Sequence, residues 1–281
     1  MRNFVLSTAC TLFCCGLSGC ARYTHENLHA TLWMQTAGEY NAACHQAFQQ
    51  AKLQLDMALS NPDWTASLEQ KAAGGYQNKR PAIICDVDET LLDNSTYQAQ
   101  LVRDDAFYTS ASWREWVDEE AAEPMPGALA FIRYAKSRGV ETIYVTNRKA
   151  DEEPATRRNL KAVGFPVSDD PDAVLTKGND NGTNWESNKT DRRKLVAQNY
   201  RILLLVGDDM NDFLDGTKIG DPQMRQQIAA KHADMWGQQW IVLPNPTYGS
   251  WEAATIGLDY TQSDSAKLKQ KYQKLRGYRN D

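Results

Sequence analysis

Ala82-Ile-Ile-Cys85 is apolar at every position and runs directly into two carboxylates, Asp86 and Asp88. A strand with no polar side is buried on both faces, which requires helices above and below it and therefore a parallel sheet. Side chains two apart along a strand point the same way, so Asp86 and Asp88 project together at the carboxyl end, where open α/β sheets place their sites. Two carboxylates that close repel, and a shared proton or a cation must offset them. An all-oxygen donor set suits Mg²⁺, which keeps part of its water and bridges to phosphate. A strand running into an acidic capping turn would use the same residues, so the rest of the chain has to decide.

Further apolar runs follow at the spacing of alternating strands and helices. Glu141–Thr146, Ala173–Thr176, Arg201–Val206 and Trp240–Leu243 read as strands; 126–138, 153–163, 189–199 and 222–231 read as helices. The fold class expected is α/β, a three-layer Rossmann-like core on a parallel sheet with a smaller α-helical cap. Residues 28–60 read as one long helix, with Leu32, Thr36, Tyr40, Ala43, Ala47, Ala51, Leu55 and Leu59 on its inner stripe and Asn61-Pro62 as its stop. The expected division is a lipidated N-terminus and cap helix over 20–80, a core over 81–260 with a helical insert at 96–125, and a C-terminal helix over 261–281. In that last helix Leu268, Tyr272 and Leu275 share one face and several Lys and Arg the other, and it is expected to be a solvated helix packed on the body rather than a membrane-binding one. The stretch 177–188 reads as a loop.

Residues 1–19 read as an export signal: Arg2, an apolar run from Phe4 to Gly16, then Leu17-Ser-Gly-Cys20. The last four resemble a lipobox, with lipidation (palmitate included) at Cys20, and Ala21 after it fits an outer-membrane lipoprotein on the periplasmic or surface face. Of six cysteines only Cys44 and Cys85 remain in the folded part. Both read as small buried hydrophobes, with a disulfide between them the alternative in an oxidising compartment. The net charge of −5 gives no basic field for nucleic acid.

Asp86-Val-Asp88-Glu-Thr90 resembles the first motif of the haloacid-dehalogenase-like phosphohydrolases, and three later stretches match the order of that superfamily's motifs. Thr146-Asn147-Arg148, directly after a strand, offers a hydroxyl and backbone N–H groups to a phosphate oxygen. Lys189, or Lys177 in its place, supplies a compensating cation. Asp208-Asp209-x-x-Asp212 adds metal ligands to Asp86 and the Asp88 carbonyl. Leu32–Tyr40, Asp86–Ser95 with Trp113-x-x-Trp116, and Trp240–Glu252 further resemble the class C acid phosphatases. That resemblance implies a Mg²⁺-dependent acid phosphomonoesterase acting outside the cytoplasm on nucleoside 5′-monophosphates and related esters. Asp86 would be the nucleophile, Asp88 the acid and base, and Thr146 and Lys189 would complete the catalytic set. Asn147 and Arg148 would contact substrate, and Tyr248, Trp113 and Phe107 would stack on the base. A homodimer is compatible with it. Asp209 departs from the family's usual Asn. The competing reading is a ligand-binding lipoprotein, for haem or adhesion, on the same fold; a third is a phosphatase for sugar phosphates or phosphoprotein.

Overall fold

The computed structural model describes residues 25–180 and 183–278. Its helices are α1 (Leu28–Thr36), α2 (Gly38–Ser60), α3 (Leu68–Ala73), α4 (Ser95–Arg103), α5 (Ser110–Asp118), α6 (Ala128–Ser137), α7 (Glu153–Ala162), α8 (Thr190–Asn199), α9 (Pro222–Lys231), α10 (Ser250–Thr255) and α11 (Asp264–Lys274). The strands are β1 (Arg80–Cys85), β2 (Leu92–Asp93), β3 (Glu123–Pro124), β4 (Glu141–Lys149), β5 (Val174–Asp180), β6 (Thr183–Trp185), β7 (Tyr200–Gly207) and β8 (Trp240–Val242).

The main sheet has the order β6-β5-β4-β1-β7-β8, parallel except for β5 against β6. β1 lies inside it, and its side chains divide with period two: Ile83 and Cys85 join one core, Ala82 and Ile84 the other. β7 breaks that rhythm once. Its register against β1 shifts between Ala82 and Ile83, leaving Leu203 as the extra residue, and Leu203 and Leu204 both enter the first core. The Leu203 carbonyl, turned out of the ladder, accepts from the Trp64 indole N–H at 2.8 Å. The bulge therefore leaves that carbonyl satisfied.

Helices α2 and α6 cover the first face, bringing Tyr40, Phe48, Leu55, Phe131 and Ile132 onto Ile83 and Leu204. The second face holds Val196 of α8 with Phe213 and Trp240. Between β2 and β3, which pair as a two-stranded ribbon, the insert α4–α5 forms its own small core of Tyr97, Leu101, Trp113 and Val117.

Several expectations are corrected. The helix over 28–60 is two helices: Ala37 is extended (ψ 124°), and Gly38, a weak helix former, opens the second. The stripe read through both as one is interrupted, and Leu32 and Thr36 are exposed while Thr31 and Met34 are buried. α1 lies beside α4, whereas α2 belongs to the sheet's own covering layer. The 177–188 loop contains the hairpin of β5 and β6, and β4 runs three residues past Thr146 to Lys149. Cys44 and Cys85 are both buried free thiols, so the disulfide alternative is not formed. α11 buries none of its residues. The signal segment and Cys20 lie outside the described residues.

Candidate active site

Chain ends of three adjacent strands supply the site. Asp86 follows β1, Thr146–Arg148 lie within the last four residues of β4, and Asp208 follows β7. The Asp86 N–H donates to the Val206 carbonyl at 2.9 Å, which carries the ladder one residue beyond the strand and fixes the side chain's start point. Asp86, Asp208 and Asp212 each place a carboxylate oxygen within 4.8 Å of the others. Gly207 is required for this: a Cβ there would stand 2.2 Å from Asp212 Oδ2. The Asp212 carboxylate is also held by the backbone N–H of Asp209 at 3.0 Å.

Lys189, the residue that caps α8, reaches this group. Its Nζ donates to Asp86 Oδ1 and lies 2.5 Å from Asp212 Oδ1. Both ionic groups are shielded from water, with side-chain exposures of 5% for Lys189 and 8% for Asp86. Lys177, the alternative, lies on β5 opposite Lys149. Lys189 is thus the lysine that meets the carboxylates.

Electrostatics follow from burial. Loss of water pushes the Asp86 carboxyl up to about 7, with Lys189 pulling it down and Asp212 and Asp88 pushing it up. Burial, and then Asp86 and Asp212, hold the Asp208 carboxyl well above the usual range. Burial opposes the charge on Lys189, but Asp212 and Asp86 outweigh it and raise the ammonium to about 12. One ammonium facing three carboxylates leaves negative charge in excess, and the donors are all hard oxygens. That donor set fits a divalent cation, held by Asp86, Asp208 and Asp212. Asn245 donates to Asp208 Oδ2 at 2.8 Å and orients the ligand from behind.

The sign of the pH effect follows. Asp86 has an ordinary value of 3.8 and a folded value near 7, so between these the native state binds more protons than the unfolded chain. Its stabilising contribution is complete below the lower value and is lost as pH rises through the upper one; Asp208 acts in the same direction. Melting in a chelator is therefore expected to show a protein less stable at pH 8 than at pH 5, by on the order of 3 kcal/mol. Saturating divalent cation should erase the difference. A chelated protein that melts higher at pH 8 contradicts this charge balance.

Asp88 is held separately. Arg148, its side chain 1% exposed, donates through Nη2 to Asp88 Oδ1 at 2.8 Å and through Nε to the same oxygen at 3.0 Å. The Asn94 amide donates to that oxygen at 2.9 Å. Oδ2 has only longer contacts, 3.4 Å to the Thr146 hydroxyl and 3.3 Å to Arg148 Nε. Arg148, expected to contact substrate, is committed to Asp88 instead. Asn147 is exposed and accepts from Arg192 Nη2 at 2.6 Å, and Arg192 also donates to the Thr146 carbonyl.

Trp113, expected to stack on a ligand, is 9% exposed. It packs edge-on against Tyr97 at 5.2 Å, with the Arg148 guanidinium 5.5 Å from its ring centre. Phe107 is 48% exposed beside His25, and the Tyr248 hydroxyl donates to the Glu89 carboxylate.

Two residues that sequence reasoning left without a role join these parts. Glu89 is fully buried at φ +54°, a strained backbone for a residue with a Cβ. It accepts from the Asn94 N–H at 3.0 Å and the Asn94 amide at 3.3 Å. Asn94 in turn accepts from the Trp116 indole N–H at 2.8 Å. A chain of hydrogen bonds thus runs from α5 through Asn94 to Asp88. The Asp86–Ser95 stretch carries both residues, but their partners come from 22 and 159 positions away, which no local pattern shows.

Comparison with known proteins agrees with this geometry. The family described as HAD superfamily, subfamily IIIB (Acid phosphatase) matches residues 16–251. The class C acid phosphatase from Bacillus anthracis with tungstate bound superposes with a TM-score of 0.79 at 34% identity, covering 91% of this chain and 98% of that one. A stem 28 kDa glycoprotein of Glycine max is 29% identical over 139 residues, 49% of this chain and 54% of its own length. Acid phosphatase 1 of Solanum lycopersicum is 27% identical over 136 residues, 48% and 52% respectively. The chain thus spans about half the length of these curated relatives. With the strand-end carboxylates and the buried lysine in place, the chain belongs to the acid phosphatases of subfamily IIIB in the HAD superfamily.

Proposed function

We propose that this protein is a Mg²⁺-dependent acid phosphomonoesterase that hydrolyses nucleoside 5′-monophosphates and is held to the outer membrane by lipid on Cys20. The observation that carries the enzymatic reading is the meeting of Asp86 with the Lys189 ammonium and with the carboxylates of Asp208 and Asp212, with Asp88 fixed two residues on. Tungstate, bound in the Bacillus anthracis relative, has the tetrahedral oxyanion shape of phosphate. The resemblance of the sequence to the class C acid phosphatases and the aromatic residues Tyr248 and Phe107 support a flat base in the substrate.

A cation held by Asp86, Asp208 and Asp212 would offset phosphate charge. The chain's own groups do the rest. An Asp86 oxygen attacks phosphorus as the P–O ester bond breaks, giving an aspartyl-phosphate. The leaving alkoxide takes a proton from Asp88, whose Oδ2 is the less occupied oxygen. Asp88 then takes a proton from water; the hydroxyl attacks phosphorus and releases phosphate, restoring Asp86. Lys189 keeps opposite charge beside the attacking oxygen throughout.

The test is phosphate release from adenosine 5′-monophosphate, nicotinamide mononucleotide and p-nitrophenyl phosphate at pH 5–7, with Mg²⁺ and with EDTA. Release that depends on Mg²⁺ supports the reading, and higher kcat/KM on the nucleotides supports the substrate class. Folded, Mg²⁺-loaded protein that turns over none of the three sinks it.

Asn94 gives a finer prediction. Losing its amide frees Asp88 Oδ1 from one of its donors and should misdirect the proton. Asn94→Ala is expected to slow nucleotide hydrolysis by roughly 100-fold, and p-nitrophenyl phosphate, whose leaving group needs no proton, several-fold at most. Equal losses on both esters would assign Asn94 a purely structural role.

A further inference from the structure

We propose that α11 lies on an anionic phospholipid surface and sets the orientation of the molecule there. This rests on the reading of Cys20 as lipid-bearing. A helix on a globular protein normally turns its apolar stripe inward. α11 does the reverse: Ala266, Lys267, Gln270 and Lys271 are its half-buried positions, and Lys271 pairs with Glu26 at 2.8 Å and Glu252 at 2.6 Å. Its large apolar residues face away, with Leu268 45% and Tyr272 67% exposed, and the extended chain just past the helix adds Leu275 at 72% and Tyr278 at 90%.

Three observations select a lipid surface as the occupant. Residues 264–278 carry five Lys and Arg against one Asp, in a chain of net charge −5; Lys267 pairs with Asp264 and Lys271 with Glu26 and Glu252, which leaves Lys269, Lys274 and Arg276 as the exposed basic charge of this segment. Leu and Tyr flanked by Lys is the composition of a helix that rests at the headgroup level. Position supplies the third. The Lys271–Glu26 pair fixes the helix beside a residue only six positions after Cys20, and six extended residues reach about 20 Å. Lipid on Cys20 would keep the helix within reach of the bilayer, so even a weak contact would form once the chain is tethered. A second copy is disfavoured because it would set two basic segments against each other.

The test uses the full-length protein purified from membranes and reconstituted into phosphatidylethanolamine/phosphatidylglycerol vesicles containing brominated lipid. A bimane label is placed at Tyr272→Cys, or at Ser137→Cys, an exposed reference position; the native Cys44 and Cys85 are buried. The expected result is loss of roughly half the fluorescence at 272 and little at 137, with the loss at 272 removed by Leu268→Glu/Leu275→Glu. Mass spectrometry of the N-terminal peptide tests the anchor independently. Lipid on Cys20 with equal, weak quenching at both positions overturns the helix proposal and leaves the anchor standing. An N-terminus without lipid overturns the anchor and this inference with it. A dimer in which position 272 is shielded from both lipid and aqueous iodide assigns the face to a second copy and overturns it too.

Discussion

Asp86→Asn is expected to lower kcat by at least ~10⁴-fold on every phosphomonoester, because Asp86 is the proposed nucleophile of the covalent intermediate. The carboxylate oxygen that attacks is lost, while the amide keeps the size and shape of the side chain. Stability should not fall with activity. Asp86 is buried against Asp212 and Asp208, so exchanging it for a neutral amide removes repulsion as well as the pair with Lys189. Melting in a chelator at pH 8 should therefore leave the variant at or above the parent. An inactive variant that also melts far below the parent would point to misfolding and carry no weight about the nucleophile. A variant retaining a tenth of the parent's kcat would remove Asp86 from that role.

Lys189→Met is expected to cost both activity and stability. The ammonium contacts Asp86 and Asp212, all three side chains at most 8% exposed, and its removal leaves carboxylates facing one another. Breaking such a pair from one side costs about 3–5 kcal/mol, which for a chain of this size lowers the melting temperature by on the order of 10 °C. Loss of charge beside the reacting phosphate should reduce kcat by about 10³-fold. Lys177→Met is the informative control, since Lys177 stands on β5 and should change either quantity little. The reverse pattern, loss at Lys177 and none at Lys189, would reassign the cation.

Much of this site was legible because its chemistry is tied to strand ends. An apolar run stopped by Asp86, and another stopped by Gly207-Asp208, state both the sheet and the place where its carboxylates meet. Lys189 was legible by position, at the start of the helix before the Asp208 strand; the choice against Lys177 needed three dimensions. Arg148 shows where sequence reasoning stops. A guanidinium after a strand suits phosphate, but its planar fork suits a carboxylate equally, and here Asp88 takes it. The break at Ala37 was hidden because alanine is the best helix former, and packing of α1 beside α4 overrode propensity. Leu268, Tyr272 and Leu275 were legible as one face, yet periodicity says nothing about which way that face turns.

Chemical trapping of the intermediate tests the central claim most directly. Asp88→Asn should still accept phosphate from p-nitrophenyl phosphate, whose leaving group needs no proton, and should be slow to activate the water that removes it. Acid-quenched turnover with ³²P-labelled ester is predicted to leave a hydroxylamine-sensitive label on the peptide containing Asp86, at close to one phosphate per chain, and none in the Asp86→Asn/Asp88→Asn double variant. Phosphate release by the parent with no label on Asp86 in either form would mean that water attacks the ester directly, and the nucleophile assigned here would be wrong.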